Sequence, residues 1–215
     1  MLWIVRSAAL SCAAFFLGCA STPALQIAGV EDPEISAAVD RNAAPEGIAY
    51  CHGYGCGVTH LVKLSAHEWN AIRGLLQPPS ASAAQERRAI ATAVALFEQA
   101  AARQAGTGGD KPGTPFSMGD PTQLDCVDES INTSSFLHLL ARGKLLHWHD
   151  VGEPARRYAF LMLGVHFTAV VTERADNARY AVDSWFHANG EPPEVVPLPL
   201  WRAGWKPGLP QVHMR

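Results

Sequence analysis

The chain has 215 residues, 48% of them hydrophobic and 17% charged, which suits one globular domain with a sizeable core and excludes a disordered polymer. Its 17 basic and 20 acidic side chains leave a net charge of −3 with no long run of either sign. Nothing there draws the chain to a polyanion, so nucleic acid and anionic lipid surfaces are not expected partners.

Residues 1–20 have the layout of a bacterial export signal. Arg6 is their only charge, Ala8 to Leu17 is apolar, and small residues follow. The run is too short for an ordinary spanning helix, which favours removal after targeting. "FLGC" resembles a lipoprotein signal in which Cys19 is lipidated and becomes the mature N-terminus; cleavage after Ala20 without lipidation is the alternative. The expected location is the periplasm, with membrane contact through a lipid anchor only. Residues 21–45, Ala-rich and Pro-punctuated, read as a tether, and residues 46–215 as the domain.

Export leaves Cys51, Cys56 and Cys126 in the mature chain. "CHGYGC" favours a Cys51–Cys56 disulfide in an oxidising compartment, with Gly53 and Gly55 easing the path. A zinc site with His60 is the alternative, disfavoured by the spacing and by the lack of a second cysteine pair. Cys126 is then the odd thiol.

Ser65 and Glu68 form a capping box that opens a helix closed by Pro78 and Pro79. A longer helix follows, with Ile90, Val94, Phe97 and Ala101 on one stripe and Gly106 past its end. "GTGGDKPGT" is a loop without the ending of a phosphate-binding motif. Cys126 begins a third helix that buries Val127, Ile131 and Leu137 to Leu140 and stops at Gly143. The period then changes: "KLLHWH", "YAFLMLGVHFTAVVTE" and "RYAVDSWF" read as strands, with "RADNA" a hairpin turn. The proline-rich tail from Gly190 reads as irregular surface wrapping. Helices first and an antiparallel sheet afterwards predict an α+β domain.

A cysteine attacks carbonyls as thiolate, and a helix N-terminus favours that anion and the oxyanion of a tetrahedral intermediate. Asp125 and Asp128 oppose the thiolate, so a histidine is required as proton acceptor. His166 sits inside a strand, and Asp183, 17 residues on, lies across a tight hairpin where it can hold the imidazole. Gln123 is a candidate oxyanion donor. His147 and His149, with Asp150, are rival bases and a possible metal pair. Trp185, Trp201 and Trp205 either line a peptide groove or pack in the core.

"DCVDES", a strand histidine and then "YAVDSW" resemble the transglutaminase-like group of papain-type cysteine enzymes over about residues 120 to 190. Asp125, Cys126, Asp128 and Ser130 match the helix-opening pattern, and His166 and Asp183 the later positions. The resemblance implies a papain/transglutaminase-like fold, with a central helix packed against an antiparallel sheet. It implies amide hydrolysis or acyl transfer through a thioester, with no metal or organic cofactor. Phe167-Thr168 stands where the family often has Ala-Trp, and Ser184-Trp185 where it has Pro-Thr. The rest of the chain resembles a family of exported bacterial proteins, which adds no function. The expected partner is a peptide or protein substrate: peptidoglycan stem peptides, protein isopeptides and ordinary peptide bonds all fit the compartment. A non-catalytic envelope lipoprotein using the same fold as a binding module is the rival.

Overall fold

The computed structural model describes residues 32–114, 120–158 and 164–208, so the signal and residues 21–31 of the tether lie outside the described residues. The elements run α1 (Pro33–Ala38), β1 (Ile48–His52), β2 (Val58–Val62), α2 (Ala66–Leu76), α3 (Ala83–Ala105) and α4 (Cys126–Arg142). Then come β3 (His149–Tyr158), β4 (Val165–Glu173), β5 (Arg179–Asp183), β6 (Glu194–Pro197) and α5 (Leu198–Arg202). Among the described residues this is an α+β arrangement of five helices with antiparallel sheets. Among the described residues no helix is long and apolar enough to cross a membrane.

The helices begin and end where local chemistry puts them. Ser65 and Glu68 make the expected box on α2. Ser82 caps α3 at Gln85 N–H, and α3 ends at Gly106, whose φ of 77° is left-handed and suits glycine. Ile90, Val94, Phe97 and Ala101 are all buried, and Phe97 stacks on Phe136 of α4 with centroids 4.6 Å apart. Helix α4 is central: every residue from Asp128 to Leu137 is buried. Its polar side chains are therefore bonded rather than solvated. The Asn132 amide accepts from Cys51 N–H at 2.7 Å and donates to Cys51 C=O at 2.8 Å, pinning β1 to the helix.

The main sheet has the order β3-β4-β5-β6, antiparallel throughout, and β1-β2 form a separate hairpin. Ala169, Val171 and Val182 turn one face towards the helical core. Ala155, Val170, Ala181 and Val196 turn the other towards Leu198 and Trp201 of α5. The sheet is buried on both faces, and the C-terminal segment provides the second cover.

Three expectations need correction. The proline-rich tail is not irregular: Val195 and Val196 pair with Val182 and Ala181, and α5 follows. Half of the tether belongs to the domain. Ile35 and Val39 are buried, Ser36 Oγ donates to Glu153 at 2.7 Å, and Asp40 N–H donates to Ser135 Oγ at 2.9 Å. Finally, "KLLHWH" is not a strand. Leu145 and Leu146 fill the core from a turn, while the buried Glu86 carboxylate takes the N–H groups of His147, Trp148 and His149. A carboxylate on α3 thus satisfies the donors that a neighbouring strand would have taken. The strand starts at His149 instead and runs through Pro154 to Tyr158, with a register shift between Gly152 and Ala155.

Candidate active site

Two aspartates build the start of α4. Asp125 Oδ1 accepts from the N–H groups of Val127 and Asp128 at 3.0 and 2.9 Å, and Asp128 Oδ2 accepts in return from Asp125 N–H at 3.2 Å. This reciprocal cap satisfies the second and third helical N–H groups and leaves that of Cys126 outside it. The same carboxylates hold the disulfide loop. Asp128 accepts from Tyr54 N–H at 2.9 Å and Cys56 N–H at 2.6 Å, and Asp125 Oδ2 from Gly55 N–H at 3.1 Å. Gly53, Tyr54, Gly55 and Cys56 all have positive φ, between 58° and 80°, a left-handed run that turns successive N–H groups towards one anion. The expected Cys51–Cys56 disulfide closes this loop. Burial and the Asp125 charge push Asp128 up to about 7, against the pull of its N–H donors.

Cys126 is a free, half-buried thiol. Its Sγ lies 3.7 Å from the carbonyl oxygen of Val165, and the N–H of Phe167 also points at it. The thiol therefore sits against the backbone on either side of His166, at the stretch of β4 that lies beyond its pairing with β5. Burial pushes the Cys126 thiol up to about 12, with Asp125 and Asp183 adding to the shift and the N–H groups of Phe167 and Cys126 opposing it. At rest the group is a neutral thiol that needs a base.

His166 has the form of one. Its Nε2 meets Asp183 Oδ2 at 2.7 Å, while its Nδ1 is buried without a hydrogen-bond partner among the described residues. Trp185, Phe186 and Trp201 enclose the ring, with centroids 4.7, 5.4 and 5.4 Å away. Asp183 Oδ2 also accepts the indole N–H of Trp201 at 2.6 Å. Two of the three tryptophans thus flank the histidine; Trp201 is fully buried, and Trp205 lies behind Phe186, packed edge-on against it.

The other candidates are committed elsewhere. The Gln123 amide donates to Gly109 C=O at 3.0 Å and accepts from Lys111 N–H at 3.2 Å. It braces the 109–111 loop, and that bracing replaces the oxyanion role expected of Gln123. His149 is fully buried between Glu86 (2.9 Å) and Arg87 (3.1 Å), and Asp150 pairs with Arg174 at 2.8 Å. His147 gives only its backbone N–H to Glu86. Burial would raise the Glu86 carboxyl, but bonds from His149, His147 and Trp148 hold it below the usual range. With Cys51 and Cys56 bonded to each other, the zinc arrangement loses its thiolates.

Behind the site lies an acidic cluster with no signal in the periodicity. Glu98 of α3, Glu129 of α4 and Asp110 are buried, near Asp183 of β5, Tyr50 of β1 and Ser184. Ser184 Oγ donates to Glu129 at 2.6 Å and Gly190 N–H to Glu98 at 2.9 Å. Burial pushes Glu98 up to about 7, Asp110 to about 6 and Glu129 well above its ordinary value, with neighbouring acids adding to each. In the unfolded chain these carboxyls ionise near their ordinary values, whereas burial in the fold holds them protonated to higher pH. Stability is therefore greatest below about pH 4 to 5 on this account and is lost as pH rises towards 7. Glu98 alone is worth about 3 kcal/mol over that window. Urea unfolding midpoints are expected to fall between pH 5 and pH 8, and Glu98→Gln to flatten the slope. A midpoint that rises over this range would contradict the assignment.

Compared with known protein families, characterised proteins and solved structures, the chain matches none.

Proposed function

We propose that the protein is an exported, lipid-anchored cysteine enzyme of transglutaminase-like fold that hydrolyses or transfers amide bonds through a thioester. One observation carries this reading. The His166–Asp183 pair, 2.7 Å apart, leaves Nδ1 buried and unpartnered on a strand whose backbone touches the Cys126 thiol. Asp183 accepts a hydrogen bond from Nε2–H, so Nδ1 carries the lone pair available to a substrate or a thiol. Cys126 transfers its proton to Nδ1 and attacks the amide carbonyl. The Cys126 N–H at the head of α4, outside the reciprocal cap, donates to the developing oxyanion. The His166 imidazolium then protonates the departing amine, and water or a second amine resolves the thioester. No cofactor takes part in these steps. A peptide or protein is the substrate class, peptidoglycan stem peptides included.

The raised Cys126 thiol, about 12, favours a second reading in which the same fold serves as a non-catalytic binding module of the envelope. An activated ester separates the two. Mixing the full chain with p-nitrophenyl acetate is expected to give a burst of nitrophenolate of about one equivalent. Mass spectrometry of the quenched protein should then place the acetyl group on Cys126. No burst, or one that survives in Cys126→Ala, leaves the binding module.

A further inference from the structure

Asp183 is held from two sides. His166 Nε2 and the Trp201 indole N–H, at 2.7 and 2.6 Å, converge on the same oxygen, Oδ2. Trp201 thereby fixes which carboxylate oxygen faces the imidazole. It comes from α5, beyond the stretch of sequence that carries the family resemblance. Helix α5 is five residues long and has no side-chain cap, so something else must hold it in place.

Arg157 does so. Its Nη1 donates to the carbonyls of Trp201 and Trp205, the latter at 2.8 Å. The guanidinium carbon lies 4.5 Å from the centroid of the Trp201 ring and 5.8 Å from that of Phe186. Arg157 stands directly opposite His166 in the β3–β4 ladder, so the two side chains share one face of the sheet. It is 8% exposed, and among the described residues no carboxylate pairs with it. A buried cation costs several kcal/mol unless its surroundings compensate. Here the compensation comes from the carbonyls of Trp201 and Trp205, an indole face and the nearby Asp183 carboxylate.

We propose that Arg157 and Trp201 are positioning residues for the Cys126–His166–Asp183 triad, Arg157 clamping α5 to the sheet and Trp201 locking Asp183 against His166 Nε2. The proposal rests on the triad reading above. In the activating step the Sγ–H bond breaks and an Nδ1–H bond forms, with the electron pair remaining on sulfur. The Trp201 hydrogen bond holds Asp183 Oδ2 opposite Nε2, so the imidazolium that forms keeps its counter-charge in place. The Arg157 charge favours the thiolate that appears beside it.

The test needs no substrate. The rate of Cys126 alkylation by iodoacetamide is measured against pH on the full chain and on Trp201→Phe, Arg157→Met, Arg157→Lys and His166→Ala. Trp201→Phe and Arg157→Met are each expected to move the inflection up by about one pH unit and to slow alkylation at neutral pH about tenfold, leaving the high-pH plateau unchanged. Arg157→Lys restores part of the shift, because it returns the charge without the fork that reaches two carbonyls. A purely structural role would change the plateau or the unfolding midpoint and leave the inflection in place. If Trp201→Phe does not fold, the wild-type indole N–H resonance of Trp201 provides the readout: it should move with pH at the alkylation midpoint. Inflections unchanged in both variants, with His166→Ala strongly impaired, overturn the positioning roles and leave the triad standing. A His166→Ala profile identical to wild type overturns both.

Discussion

His166→Ala is expected to make Cys126 less reactive than an ordinary cysteine, by orders of magnitude at neutral pH. An unperturbed thiol of pKa about 8.5 is about a tenth ionised at pH 7.5. Burial and the Asp125 and Asp183 charges push Cys126 up to about 12, which leaves about three thiolates in 10⁵ molecules at that pH. In the proposed mechanism the wild-type protein offsets this penalty by passing the proton to His166, whose positive charge then favours the new anion. Without the imidazole, the sulfur loses the proton acceptor that offsets the Asp125 and Asp183 charges. Iodoacetamide should alkylate His166→Ala about 10³-fold more slowly than free glutathione at pH 7.5. Its rate should climb about tenfold per pH unit to beyond pH 10, whereas the wild-type rate levels off at lower pH. Asp183→Asn should fall between the two, since the amide still orients the ring but carries no charge. Equal rates for His166→Ala and wild type across the range would show that the histidine is not coupled to the thiol.

The residues of the proposed triad were legible because each sits at a place with a sequence signature. Cys126 follows a capping aspartate, and His166 and Asp183 lie in short β-branched runs separated by a tight turn. The long helix was legible through its apolar stripe. The residues that hold the site were not. Trp201 and Arg157 act across long sequence separations, and the tail carrying Trp201 has the prolines of irregular chain because it is an edge strand and a short helix. The Leu-Leu-His-Trp-His run imitates a strand in composition. Glu86, distant in sequence, takes its N–H groups and so decides otherwise. Gln123 shows the opposite failure. Its position before Cys126 suited an oxyanion donor, but the loop it braces, bonded through Gly109 and Lys111, is invisible to a local reading.

The two aspartates beside Cys126 looked like a cost to the thiolate, and the structure supplies their return. Asp128 is fully buried and accepts from Tyr54, Cys56 and Asp125, so one carboxylate joins the disulfide loop to the head of α4. Asp128→Ala strands three donors, two of them in the left-handed loop. The expected cost is about 4 kcal/mol in urea unfolding, above that of an ordinary cap because the orphaned groups are partly buried. Asp128→Asn separates charge and acceptance from shape. The amide matches the carboxylate in size, yet its NH₂ group meets a backbone donor where an oxygen had accepted. Its loss should therefore be close to that of alanine. The disulfide gives an independent measure. While the loop is bound, a dithiol reaches Cys51 and Cys56 only after local opening, and freeing Tyr54 and Cys56 makes that opening easier. Reduction by dithiothreitol in native buffer is expected to be more than about tenfold faster in both variants, a change that about 1.4 kcal/mol of loop attachment would produce. Reduction at the wild-type rate in both would mean that the loop is held by Asn132 and the β1–β2 hairpin, and that Asp128 serves the helix cap alone.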